Sequence, residues 1–386
     1  MQKISAMHRM NRLVLVVLVM SAALKAVPTR AQQSEEDYPT PEEVHSAVKG
    51  GLKWLARTQI KEGPDAGAWP CSNRRYKPAV TSLVGLAFLA NGHLPDRGEY
   101  GDVIRAALDY VVDQMGPGGY LGQGDPSGMY IHAICAVFGL SCFGELQDPE
   151  AEEELAEWCR KAVELIIEAQ QVTKKAVARG GWRYTPKADE SDASTTCWQL
   201  LVLHAARQCG FPLPEETIER GLAYLNRAYT GDDPSVRTGF LYRAGISKDP
   251  DPSVTAVAVA VKSILEGEID NRAAEVLEQK ELFRPTWGGA QYGGYFYFSL
   301  FYMTQGMFQR GGEPWTQFRR SAEKVLVEHQ TGEGNWPFPP DNMPQSRAAG
   351  PAYATAMALL VLELDQQYLP MYQRQRPLFH ATLEAE

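Results

Sequence analysis

QTGEGNW, residues 330–336, sets Gln330, Gly334 and Trp336 in a Gln-x3-Gly-x-Trp unit, and variants of that unit return along the chain. QMGPGGY (114–120) repeats it with Gln114, Gly118 and Tyr120; longer insertions separate Gln59 from Gly67 and Trp69, and Gln171 from Gly180 and Trp182. The copies come round about every 50–60 residues, the span of one helix pair, so the chain reads as a repeat protein. Each repeat can bury its apolar face only against its neighbours.

Working outward from these turns, apolar periodicity predicts one helix before each and another after it. The preceding set falls near 42–58, 100–114, 150–171, 215–229, 271–281 and 315–330 and carries charge on one face, as in AEEELAEWCRKAVELIIEA. The following set falls near 78–90, 127–143, 191–208, 252–265, 294–309 and 351–366 and is apolar on nearly all faces, as in PAVTSLVGLAFLA and PAYATAMALLVLEL. Helices apolar all round are covered on all sides, whereas one-sided ones face water. An inner ring of parallel helices wrapped by antiparallel partners satisfies both patterns, and six pairs close it. The expectation is an all-α (α/α)6 toroid over residues 41–372. Ser127, Asp192 or Ser191, and Asp251 or Ser253 stand where N-caps are wanted, and Pro78, Pro252 and Pro351 suit first helical turns. All inner helices then begin at one end of the ring, where their positive dipole ends favour an anionic or polar ligand group.

At the chain's start, Lys3, Arg9 and Arg12 precede an apolar run from Leu13 to Leu24, and Thr29-Arg30-Ala31 resembles a small-x-small cleavage site. Residues 1–31 read as a secretory signal peptide, 32–40 as a flexible leader and 373–386 as a tail. The expected product is exported, periplasmic or secreted, and monomeric. Removal of the signal strips basic residues from a chain whose formal charge is already −9, which argues against nucleic acid and anionic membranes as partners. No linker divides the rest, so a single domain is expected.

The six cysteines show no Cys-x2-Cys pair and no cluster with His. Cys142 and Cys209, both near the ends of inner helices, could meet in a disulfide or remain buried thiols.

GGWRYTPKADESDASTTCWQLLVLHAA (180–206), QTGEGNW and AYATAMALLVLELDQQYLPMY (352–372) resemble the squalene-hopene cyclase and prenyltransferase repeat superfamily, above all short exported bacterial proteins similar to the cyclase C-terminal domain. That resemblance implies a terpenoid-cyclase-like toroid that binds, with or without processing it, an isoprenoid or other lipid in an aromatic cavity. The family's acid motif, Asp-x-Asp-Asp-Thr-Ala, is absent: DPDPSVTAVAV offers Asp249 and Asp251 in a broken frame, and ADESDAS offers Asp189 and Asp192 in another register. The zinc set of the prenyltransferases is not reproduced by His132, Asp192 and Cys197, whose spacing promises no preformed site. No cofactor or metal is expected.

Within the toroid, Asp192 and His132 are the candidate catalytic residues, and Tyr130, Arg183, Tyr295, Tyr297 and Tyr353 the candidate ligand-binding ones. Asp192 stands at the ring's mouth with Arg183 close enough to pair, and the tyrosines open inner helices. For each there is a plainer role: helix cap, core histidine, packing. Two other functions fit the same scaffold. A glycosidase or polysaccharide lyase would use paired carboxylates, or a Tyr/His/Arg set, at the mouth. A non-catalytic scaffold would hold a protein partner in an envelope assembly.

Overall fold

The computed structural model describes residues 38–373, apart from 234, 268–270, 279–283, 289–293 and 367. The signal segment 1–31, most of the leader and nearly all of the tail lie outside the described residues.

Among the described residues, twelve helices follow the expected alternation, with a further short helix at Pro344–Ala348. The outer ones are α1 (Pro41–Thr58), α3 (Gly101–Asp113), α5 (Pro149–Gln170), α7 (Glu215–Ala228), α9 (Asn271–Val276) and α11 (Gly312–His329). The inner ones are α2 (Lys77–Ala90), α4 (Gly128–Cys142), α6 (Ala193–Gln208), α8 (Pro252–Glu266), α10 (Phe296–Arg310) and α12 (Gly350–Leu362). Every residue of α2 is buried, while α1, α5 and α11 bury one face only, as their charge patterns require. Each inner helix packs on the next, α2 on α4 and so on to α10 on α12, and α12 returns to α2. The ring is closed: this is an (α/α)6 toroid, and the described residues contain isolated β-bridges but no strand.

The repeated turn is a clamp. Gln59 Nε2 donates to the carbonyls of Gly67 and Val103, Gln170 Nε2 to those of Gly180 and Thr217, and Gln330 Nε2 to those of Gly334 and Ala47. One amide thus ties its own turn to the next outer helix; the third case joins α11 to α1 and closes the outer layer. The tryptophans complete it, with Nε1 of Trp69, Trp182 and Trp336 donating to Leu55, Ile166 and Leu326 carbonyls one turn back in the outer helix. The glycines are required by space as well as by conformation. A Cβ at Gly334 (φ +101) would lie 2.5 Å from the Gly50 carbonyl oxygen, and one at Gly180 (φ +81) 2.2 Å from that of Arg220. The amide in the second clamp belongs to Gln170 rather than Gln171, because the last residue of α5 is the one facing α7. In the turn after α3, Gly119 approaches the next outer helix while Gly118 meets open space.

At the far end of the ring a 3-10 turn, Pro370–Tyr372, lies against α6 and α4 with Met371 and Tyr372 buried, and His204 Nε2 bonds the Gln373 carbonyl at 2.6 Å. All six cysteines are free thiols, Cys209 donating to the Leu140 carbonyl. No described helix is long and apolar enough to cross a membrane.

Candidate functional site

Two repeat-equivalent loops build the face where the inner helices begin. After the second clamp the chain runs Trp182-Arg183-Tyr184; in the next repeat Phe240 takes the tryptophan's place and is followed by Leu241, Tyr242 and Arg243. The equivalence is visible in the hydrogen bonds. Trp182 N donates to Thr196 Oγ1 and Phe240 N to Thr255 Oγ1, each threonine one turn inside its inner helix. The Tyr184 carbonyl accepts from Met129 N at the start of α4, and the Tyr242 carbonyl from Ala193 N at the start of α6, both at 2.9 Å. Two loops of the same design therefore cover successive inner-helix starts, and their tyrosine hydroxyls bond each other.

Asp192 caps α6 from beneath these loops. Its Oδ1 accepts from Thr195 N at 2.8 Å and from Ser194 Oγ at 3.3 Å, and its Oδ2 from Thr195 Oγ1 at 3.0 Å. The residue has no exposed surface. Burial pushes its carboxyl up to about 6, against the lowering pull of the Thr195 bonds, the Arg183 charge and the Ser194 hydroxyl. Arg183 Nη1 lies 3.8 Å from Oδ2, an ion contact too long for a hydrogen bond. The guanidinium is instead stacked 4.6 Å over the Tyr184 ring, with the Tyr242 ring at 6.0 Å.

Glu190 is the second carboxylate. It stands half-exposed on the loop and bridges both arginines, with Oε1 2.6 Å from Arg243 Nη2 and Oε2 3.4 Å from Arg183 Nε. Partly buried aromatics frame the group. The Tyr130 hydroxyl bonds Ser194 Oγ, and its ring lies 6.0 Å from Tyr184 and 6.1 Å from Phe298, which reaches across the ring axis from α10. Below them Trp198 Nε1 donates to Tyr302 OH at 2.6 Å, so aromatic side chains meet one another across the axis.

The sequence-derived candidates divide into three places. Asp192, Arg183 and Tyr130 come together here. His132 turns outward to the Ala162 carbonyl of α5 at 2.9 Å; burial lowers its pKa to about 4, and it behaves as a hydrogen-bonded core histidine. Tyr297 donates to the Pro337 carbonyl at 2.5 Å and packs on Phe338, which stacks on Tyr353, so these two belong to the last clamp; Tyr295 is exposed beside them. Glu190, Tyr184, Tyr242, Arg243 and Phe298 were not singled out from the sequence. The signal that finds Tyr184, Tyr242 and Arg243 is the alignment of WRYT (182–185) with FLYR (240–243), which shows Tyr recurring, with an Arg beside it, just past the clamp; Glu190 and Phe298 lie outside it. Two grooves on the outer layer, between α1 and α3 and between α3 and α5, carry acidic walls and share no residue with this cluster. Among the described residues no cluster of His, Cys, Asp and Glu has metal-site geometry.

No family model matches the chain, and no curated protein matches it. Solved structures do. A protein from Actinoplanes is similar with a TM-score of 0.51 at 16% identity, over 84% of this chain and 99% of its own. The GH76A α-1,6-mannanase of Salegentibacter sp. HEL1_6, in an inactive variant bound to α-1,6-mannotriose, is similar with a TM-score of 0.57 at 11% identity, covering 84% and 99%. A further structure of that mannanase gives 0.56 at 10% over 83% and 98%. At such identities the likeness establishes the toroid alone. It overturns the resemblance to the squalene-hopene cyclase and prenyltransferase repeats, and with it the isoprenoid or lipid ligand and the cyclase-like naming of the fold. The physical reason is in the ring itself. Of the tyrosines expected to line a cavity, Tyr130 packs on Phe298 from across the axis, Tyr297 and Tyr353 are spent on the last clamp, and Tyr295 is exposed.

Proposed function

We propose that the chain is a carbohydrate-active toroid of glycosidase-like class, acting on a glycan at the face formed by the two loops. One observation carries this reading: two carboxyls in contrasting surroundings, Asp192 buried and Glu190 half-exposed, converge on the single guanidinium of Arg183 inside a frame of partly buried aromatic rings. Glycosidic cleavage turns on a carboxyl that reaches the sugar. Glu190 reaches solvent between two guanidiniums, and Asp192 faces Arg183 from the buried side. Aromatic faces suit the apolar face of a sugar ring. Glu190 is the carboxylate placed to meet the ligand, and Asp192, with no surface of its own, is a positioning residue behind Arg183.

The mannanase similar in fold supports the class, being a glycoside hydrolase with mannotriose bound. Its inactive variant has two consecutive aspartates replaced. The consecutive pair Asp232 and Asp233 here is bonded to Arg272 and Ser235 rather than to any residue of the cluster, so the reading rests on Glu190 and Asp192. An exported chain, as residues 1–31 suggest, would meet such a polymer outside the cytoplasm.

The test is release of new reducing ends from a panel of oligosaccharides that includes α-1,6-mannotriose and acidic oligomers. Wild type should cleave at least one of them, and Glu190→Gln should abolish cleavage with the fold intact. Failure to bind or cleave any sugar would remove the reading.

A further inference from the structure

We infer that the glycan taken at this face carries a carboxylate, and that Arg183 and Arg243 form the subsite that receives it. The inference deepens the sugar reading and rests on it. Its first observation is a pair of guanidinium nitrogens without acceptors. Arg183 Nη1 and Arg243 Nε are buried and have no hydrogen-bond partner among the described residues. A charged donor left unsatisfied costs free energy, and here neither guanidinium has its hydrogen bonding completed by the protein, Arg183 Nη1 keeping only its 3.8 Å ion contact with Asp192.

The second observation is the carboxylate already present. Glu190 is anchored by ion pairs to these two arginines, its own side chain half in solvent. Its carboxylate occupies the place that an incoming acid sugar would take, and a planar guanidinium accepts either in the same geometry. The third is preorganisation. The Arg183 guanidinium sits 4.6 Å over the Tyr184 ring, and the Tyr184 and Tyr242 hydroxyls bond each other, so less freedom remains to be lost on binding. The fourth is charge. In a chain of formal charge −9 this cluster sets two guanidiniums against Glu190 and the buried Asp192, and only Glu190 of the two carboxyls reaches solvent, so an anion meets less repulsion here than a net negative surface would give it. A ligand carboxylate seated on Arg243 would also free Glu190 from its strongest partner, leaving it able to act on the sugar.

Calorimetric titration with trigalacturonate, with mannotriose as the neutral control, tests this on the wild type, Arg243→Gln, Arg243→Lys and Glu190→Gln. Trigalacturonate should bind wild type more tightly than mannotriose does. Arg243→Gln should weaken it at least about tenfold, the loss expected of a charge-assisted bidentate contact, and by clearly more than it weakens mannotriose, and Arg243→Lys should recover only part of that. Glu190→Gln should tighten trigalacturonate, because the internal competitor has lost its charge, a gain that a merely structural residue would not give. Equal binding of both sugars, indifferent to Arg243, would overturn the acidic-sugar inference and leave the sugar reading standing. Binding of neither would overturn both. Melting temperatures of the variants identify any loss that comes from unfolding.

Discussion

The turn after α5 and the turn after α11 are the same clamp put to different uses. In both, a glutamine amide ties two carbonyls, a glycine of positive φ lies against the next outer helix, and a buried tryptophan donates backward while its backbone N–H meets a threonine of the inner helix. They diverge one residue later. Trp182 is followed by Arg183 and a loop bringing Glu190 and Asp192; Trp336 is followed by Pro337 and Phe338, which accept from Tyr297 and stack on Tyr353. The clamp is architecture, then, and chemistry sits just beyond it.

If the clamp is common property, removing its tryptophan should hurt equally in both turns. Trp336→Ala and Trp182→Ala should each cost ~3–5 kcal/mol, as truncation of a fully buried aromatic does, and the two side chains are alike in being 0% and 1% exposed. Chemical denaturation of both variants checks this. A near-neutral result in either turn, with the other strongly destabilised, would show that the two clamps are not equivalent.

The fold was legible because both helix classes write themselves in polarity: α2 and α12 have no face to show to water, and α5 keeps its glutamates on one side. The clamps were legible where Gln, Gly and Trp sit close, and misread by one residue at Gln170, since an insertion of variable length hides which glutamine faces α7. The site was legible only in part. Asp192 and Arg183 betrayed themselves by cap position and adjacency. Whether an inner-helix side chain points to the axis or to an outer partner is a matter of rotation about the helix, and a helix apolar on all sides gives no moment to fix it. His132 and Tyr297 accordingly faced the outer layer. Glu190 and Arg243 are brought together by the pairing of two loops from different repeats, which no local pattern records.

The next effect in size separates the turns by pH. The carboxyl of Asp192 is raised from the usual 3.8 to about 6 by burial, so the folded protein holds this proton more tightly than the unfolded chain. Stability from this group is complete below pH 3.8 and is lost as pH rises through about 6; the amount is at most about 3 kcal/mol. The groups facing it are Arg183, which opposes the shift, and the neutral hydroxyls of Ser194 and Thr195. Asp192→Asn should flatten that slope between pH 4 and 6.5 while keeping the cap, for Asn caps a helix about as well as Asp. A variant that unfolds outright, or one that keeps the wild-type slope, would assign the proton elsewhere.

The smallest effect on stability is expected at the residue given the largest role in function. Glu190 belongs to the turn that carries chemistry, its side chain is 50% exposed, and its partners are two guanidiniums 18% and 20% exposed. An ion pair reached by water is worth little, a median of about 0–1 kcal/mol, because solvent already screens the charges. Glu190→Gln keeps the length and one acceptor oxygen, so its unfolding free energy should stay within about 1 kcal/mol of wild type. Arg183 should also hold its place, since its stacking on Tyr184 does not depend on Glu190. A loss of several kcal/mol on denaturation would make Glu190 part of the loop's framework, like the tryptophan before it, and the division between clamp and chemistry would fail at the residue where it matters most.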